Sequence, residues 1–201
     1  MKHFMLSSFV LILISCGNGG TNSGSSGGAV HSLDGMQTES LAGGVTRAFN
    51  KDGDGNMLEE GYLVNGVRNG MWIKYYTDKD AGKVKSIASY TNGNLNGPYY
   101  EFNNRMQVDT EVNYADNVYH GKVAKYKFGR PETIKTYKHN KLDGPSYDYF
   151  GDGKLQKETN FKDGKQHGIM TWYNEGGAKT MEYEYKNGEK VSGGIVKNIP
   201  D

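Results

Sequence analysis

The sequence predicts an all-β chain, an elongated antiparallel β-meander built from about five to six tandem hairpin repeats of 23–24 residues. Two observations predict it. The aromatic residues Tyr90, Tyr114, Tyr137, Phe161 and Tyr185 follow one another at steps of 23 or 24 residues, and a fixed period in the low twenties marks a repeat array. Between them recur Asn-Gly and Asp-Gly pairs, at Asn65-Gly66, Asn92-Gly93, Asp163-Gly164 and Asn187-Gly188. Such pairs favour two-residue hairpin turns because both central residues need positive φ. The 29 glycines, 15 tyrosines and seven phenylalanines of the 201 residues fit many short strands joined by tight turns.

Taken in order, residues 1–15 read as a signal peptide, with Lys2 as the positive region and Phe4–Ile14 as an apolar core too short to span a bilayer. Leu13-Ile14-Ser15-Cys16 then resembles the lipobox of bacterial lipoproteins, in which the cysteine is acylated. Cys16 is the single cysteine of the chain and is therefore the lipidation candidate. The resemblance implies a mature protein tied to a membrane of the cell envelope, the outer membrane in a Gram-negative cell. Each buried acyl methylene would contribute about 0.8 kcal/mol. Residues 16–44 are nearly all small or polar and read as a tether. The repeat domain is expected at 45–201.

Each copy contains an early turn, read at Asp116-Asn117 and Asn140-Lys141 as well as at the pairs above. A glycine follows at 70, 97, 121, 144 and 168, and then a strand. Five residues beyond each glycine stand Tyr75, Phe102, Tyr126, Tyr149 and Tyr173; three beyond stand Ile73, Tyr100, Ala124, Tyr147 and Thr171. Period two puts both sets on one face. That face is expected to be the packed one, with its rings in a column. Trp72, Tyr76, Tyr99 and Phe150 fall on the opposite phase, which makes them the candidate binding surface. Pro131 lies inside a second strand, where the missing donor should make the register slip or bulge.

From about Phe49 to Gly194 these units resemble MORN-type repeats in their bacterial variant. Asn92-Gly93 with Gly97 and Tyr99-Tyr100, and Asp163-Gly164 with Gly168 and Trp172-Tyr173, carry the resemblance best. It implies an elongated sheet used as a binding or scaffolding surface. Some bacterial members are labelled antitoxins, which implies a toxin-neutralising alternative, although an exported, acylated protein fits poorly with a toxin acting in the cytoplasm.

The residues offer little to an enzyme, and no catalytic residue and no cofactor is expected. The glycines recur at turn phase and cradle no phosphate, no His-Glu-x-x-His occurs, and Glu59 and Glu60 alternate faces. Asp52, Asp54 and Asn56 start like a calcium loop, but Met57 and Leu63 stand where its Gly and Glu belong. No metal site is expected either. His120 and His167 precede repeat glycines and read as turn formers tolerant of left-handed backbone. They lie about 19 Å apart by strand count, too far for one ion. The formal net charge of +1 provides no field for nucleic acid. The expected partners are the membrane, through the anchor, and a protein, with carbohydrate or cell wall as the alternative.

Overall fold

The computed structural model describes Leu33 and residues 35–196; the expected signal peptide, Cys16 and most of the expected tether lie outside the described residues. The chain forms one open sheet of 14 antiparallel strands in sequence order, so each strand pairs only with its neighbours in sequence. The first strands are β1 (Gln37–Ser40), β2 (Val45–Lys51), β3 (Met57–Val64), β4 (Val67–Tyr75) and β5 (Val84–Thr91). Next come β6 (Asn94–Phe102), β7 (Val108–Ala115), β8 (Val118–Lys127), β9 (Arg130–Lys138) and β10 (Lys141–Tyr149). The sheet closes with β11 (Leu155–Lys162), β12 (Lys165–Tyr173), β13 (Lys179–Lys186) and β14 (Glu189–Ile195). At about 4.8 Å per strand the sheet extends roughly 60 Å. Among the described residues no helix is long and apolar enough to cross a membrane.

The tight turns set the register. Asn65-Gly66, Asn92-Gly93, Asp116-Asn117, Asp163-Gly164 and Asn187-Gly188 all hold positive φ at both central residues, as the sequence predicts. In the fourth such turn along the chain the pair is His139-Asn140, at φ 48° and 64°, rather than the expected Asn140-Lys141. Lys141 belongs to the strand, paired with Lys138. The expected role of His120 and His167 is also corrected. Neither has positive φ; the glycines after them, Gly121 and Gly168, take the left-handed conformation at 96° and 93° and bulge the strand.

At the other edge of the sheet every hairpin has a register shift just before its loop, for example at Lys74/Tyr75, Glu101/Phe102 and Asp148/Tyr149. Pro131 faces Tyr126 beside the equivalent shift at Lys125/Tyr126. The proline therefore sits where every copy already bulges, and its missing N–H breaks no regular ladder.

The fold also begins earlier than the expected boundary at residue 45. β1 pairs with β2 from Gln37 opposite Phe49 to Ser40 opposite Thr46. All four of its residues are exposed, so the pairing is made by backbone alone and left no apolar signature. Leu33 and Met36, also in the expected tether, pack against the core.

Core placement differs from expectation as well. Cross-strand partners share a face, and the register aligns Ile73, Tyr100, Ala124, Tyr147 and Thr171 in one row, as predicted. The main apolar cluster lies on the opposite face: Ala48, Leu63, Trp72, Ala88 and Tyr90, with Leu95 and Tyr99 against it. Trp72, 2% exposed, is the largest fully buried side chain. It fits because Gly61 opens the space beneath it; a Cβ there would come within 2.3 Å of the indole. The indole N–H donates to the Tyr62 carbonyl at 3.1 Å. The Arg68 guanidinium lies 3.9 Å over the ring and bonds Glu59 at 2.8 Å, closing the site from above.

Candidate functional site

Trp72 is thus withdrawn from the candidate binding surface: a ring that is 2% exposed and roofed by Arg68 is core. Tyr99 lies in the same region, half-buried, with Trp72, Arg68 and Tyr90 around one small cleft of about 70 Å³. Burial first, and the Glu101 carboxylate 2.6 Å from its hydroxyl second, push the Tyr99 phenol strongly up. Tyr99 also heads a row of rings, Tyr99–Tyr114–Tyr119–Tyr137, with centroids 6.1, 5.3 and 5.5 Å apart. Their planes meet at 87°, 54° and 68°, two pairs edge to face and the middle one tilted, so the row presents no flat platform.

The expected ring column Tyr75, Phe102, Tyr126, Tyr149 and Tyr173 is half-buried rather than core. Two of its members are tied by their hydroxyls to a carboxylate 15 residues earlier. Tyr75 donates to Glu60 at 2.6 Å, and Tyr126 donates to Glu111 at 2.9 Å. A cation completes each arrangement, Arg47 on Glu60 at 2.7 Å and Lys122 on Glu111 at 2.8 Å. In a single-layer sheet such polar ties hold rings down where no second layer can.

Tyr76 and Phe150 explain themselves only in the loops. The loops at 52–56, 103–107, 150–154 and 174–178 are five residues long, and 76–83 has eight. Three of the five-residue loops open with a capping residue. Asp52 accepts from the amides of Asp54 and Asn56, Asn103 from those of Arg105 and Gln107, and Asn174 from that of Ala178. Tyr76 and Phe150 occupy this same first loop position. Tyr76 turns its hydroxyl inward, donating to the Phe102 carbonyl at 2.5 Å, so it braces the neighbouring hairpin. Phe150 gives up the cap and offers a ring.

That ring lines a cleft of about 330 Å³ with Lys127, Phe128, Arg130, Pro131 and Tyr149. The cleft exists because the β8–β9 connection is only two residues, Phe128-Gly129, between flanking five-residue loops. A notch is left in the loop edge of the sheet. Phe128 is 69% exposed and sits at φ 54°, a conformation in which a bulky residue is an outlier. Arg130 reaches along the floor, its guanidinium donating to the Gly151 carbonyl at 3.4 Å. The notch therefore combines a strained, solvent-facing ring, two further rings and two cations. Phe150 shows in the sequence as an off-phase ring, whereas Phe128 is not among the expected surface residues; its signal is the replacement of an Asx turn former by Phe before Gly129.

The structure brings Trp72 and Tyr99 together and leaves Tyr76 and Phe150 in separate loops. Among the described residues no three His, Cys, Asp or Glu side chains gather around one point that could hold a metal ion.

No protein-family model matches the chain, and no curated protein matches it. Among solved structures it is similar to TarM from S. aureus, seen in a crystal structure of TarM and in one of a point mutant in complex with fondaparinux, alpha-GlcNAc-glycerol and UDP. Each match is 11% identical, with a TM-score of 0.27, and covers 79% of this chain. The chain spans about a fifth (21%) of the length of those proteins, and at that TM-score the likeness carries no argument.

Proposed function

We propose that this protein is a lipid-anchored, non-catalytic repeat protein of the bacterial cell envelope that holds a protein partner in the notch at Phe128. One observation carries the reading: Phe128, exposed at positive φ in a position where every turn chemistry would favour Asn, Asp or Gly. Local rules broken without structural gain tend to mark functional positions. Phe150 breaks a second rule at the same notch by replacing a cap. Aromatic side chains with an adjacent Arg are the usual composition of binding hot spots. Lys127 and Arg130 would favour a segment that places a carboxylate beside an apolar side chain, and Glu132 at the rim would select against purely acidic ones.

The carbohydrate alternative is weaker along the Tyr99–Tyr137 row, whose planes meet at 87°, 54° and 68° and give a stacked sugar no flat platform. The toxin-neutralising alternative has no observation in its favour. The anchor reading rests on the sequence around Cys16; Cys16→Ala should move the protein from the membrane to the soluble fraction, and retention after a salt wash would contradict it. For the notch, a photo-crosslinking residue at position 128 in intact cells should give a discrete protein adduct that Arg130→Ala diminishes. An adduct to glycan, or an adduct pattern indifferent to Arg130, would overturn the protein-binding reading.

A further inference from the structure

In two copies the residue before the repeat glycine reaches the first residue of the next tight turn. Asp143 Oδ2 accepts from the Asp163 amide at 3.2 Å, and His167 Nδ1 accepts from the Asn187 amide at 3.4 Å. At the equivalent junction the two positions are His120 and His139, and the contact is ring to ring, with centroids 5.0 Å apart and planes at 75°. Both imidazoles are exposed. His139 is fixed by its place in the turn, where its backbone is left-handed at φ 48°, and His120 by the strand bulge at Gly121. His120 thus has His139 beside it, and not the distant His167.

We propose that His120 and His139 together form a binding site for one divalent transition-metal ion, with two imidazole ligands and water in the remaining positions. Geometry supports it. Metal–nitrogen bonds of about 2 Å, plus about 1.1 Å from nitrogen to ring centre, hold two imidazole centroids about 5 Å apart at a tetrahedral angle. Rotation about each metal–nitrogen bond leaves the interplanar angle free; the two exposed rings meet edge to face at 75°, and each would turn about its own side-chain bonds to aim one nitrogen at the ion. Imidazole suits zinc, nickel and copper, and copper(II) binds most tightly in that series. The ion would clip one hairpin to the next, 19 residues along the chain, and stabilise the sheet by mass action.

The test uses the whole mature chain from Cys16 with copper(II) as the probe, because His31 is then present in every sample. In titrations followed by calorimetry, His120→Asn and His139→Asn should each remove the same equivalent of copper, or weaken it at least about tenfold, which is the least that lost supporting partners cost known sites. His167→Asn should leave that equivalent unchanged. Paramagnetic broadening of the histidine ring signals provides a second readout that needs no variant. Substoichiometric copper should broaden His120 and His139 together and before His167. Unchanged binding in both variants, or uniform broadening of all histidines, would overturn the proposal.

Discussion

Asn117 and Leu95, 22 residues apart, grip each other through two hydrogen bonds. The Asn117 amide donates to the Leu95 carbonyl at 2.9 Å, and the Leu95 amide donates to Asn117 Oδ1 at 2.8 Å. Asn140 and Tyr119 repeat the arrangement at 3.0 and 2.7 Å. Where the turn carries Gly at this place, as at Gly93, Gly164 and Gly188, only the backbone half of the clamp is made, to Arg68, Leu142 and Gln166. Asn thus accepts left-handed strain, at φ 66° and 64°, in return for a bond that holds neighbouring repeats in register.

The clamp predicts an order of stability. Asn117→Gly loses the side-chain bond, worth about 0.5–1.5 kcal/mol, but relaxes the turn. Asn117→Ala loses the bond and keeps the strain, so it should unfold at lower temperature than Asn117→Gly. Thermal unfolding of the two variants decides it; the reverse order would show that the turn does not need positive φ there.

The Trp72 site predicts that the largest single loss lies at the N-terminal end of the sheet. Trp72→Ala should cost about 3–5 kcal/mol, as for other buried large rings. Gly61→Ala should cost about 1–3 kcal/mol by pushing a methyl group into the indole. Tyr149→Ala, at a half-buried ring, should cost less than Trp72→Ala. Denaturant unfolding measures all three, and a Gly61→Ala protein as stable as the wild type would mean that the indole does not rest on that glycine.

The Tyr75–Glu60–Arg47 arrangement predicts a dependence on pH at both ends. The Tyr75 hydroxyl first and Arg47 second hold the Glu60 carboxyl below the usual carboxylate range. A depressed folded value means stability that is present above the ordinary value of 4.5 and lost as pH falls through the folded one. Burial first and Glu60 second push the Tyr75 phenol up to about 12. Its contribution is complete below the ordinary value of 10.0 and is lost as pH rises toward about 12. Glu60→Gln should flatten the acid limb of a stability–pH curve and reduce the alkaline one. An acid limb unchanged by Glu60→Gln would assign it to other carboxylates.

What the sequence made legible follows from how local the fold is. Strands, tight turns and alternation arise from contacts within one hairpin, and the period of 23–24 residues displays them directly. Which face is packed was not legible, because both faces carry aromatic columns. The decision lies with Gly61, a glycine outside the repeat pattern that makes room for Trp72. β1 was hidden because Gln37–Ser40 pair through backbone alone. Phe150 was legible as an off-phase ring, but the notch was not, because it comes from three residues missing between Phe128 and Arg130 relative to the sister loops.

The central claim, that the notch recognises a partner, is tested most directly by Phe128→Asn, with unfolding and partner crosslinking measured on the same protein. Asn suits φ 54° better than Phe does, so the variant should be as stable as the wild type or more stable by about 1 kcal/mol. At the same time, capture of the partner by a crosslinker placed at Phe150 should be lost. A variant that loses stability while capture persists would mean that Phe128 is held for the fold and that the binding surface lies elsewhere.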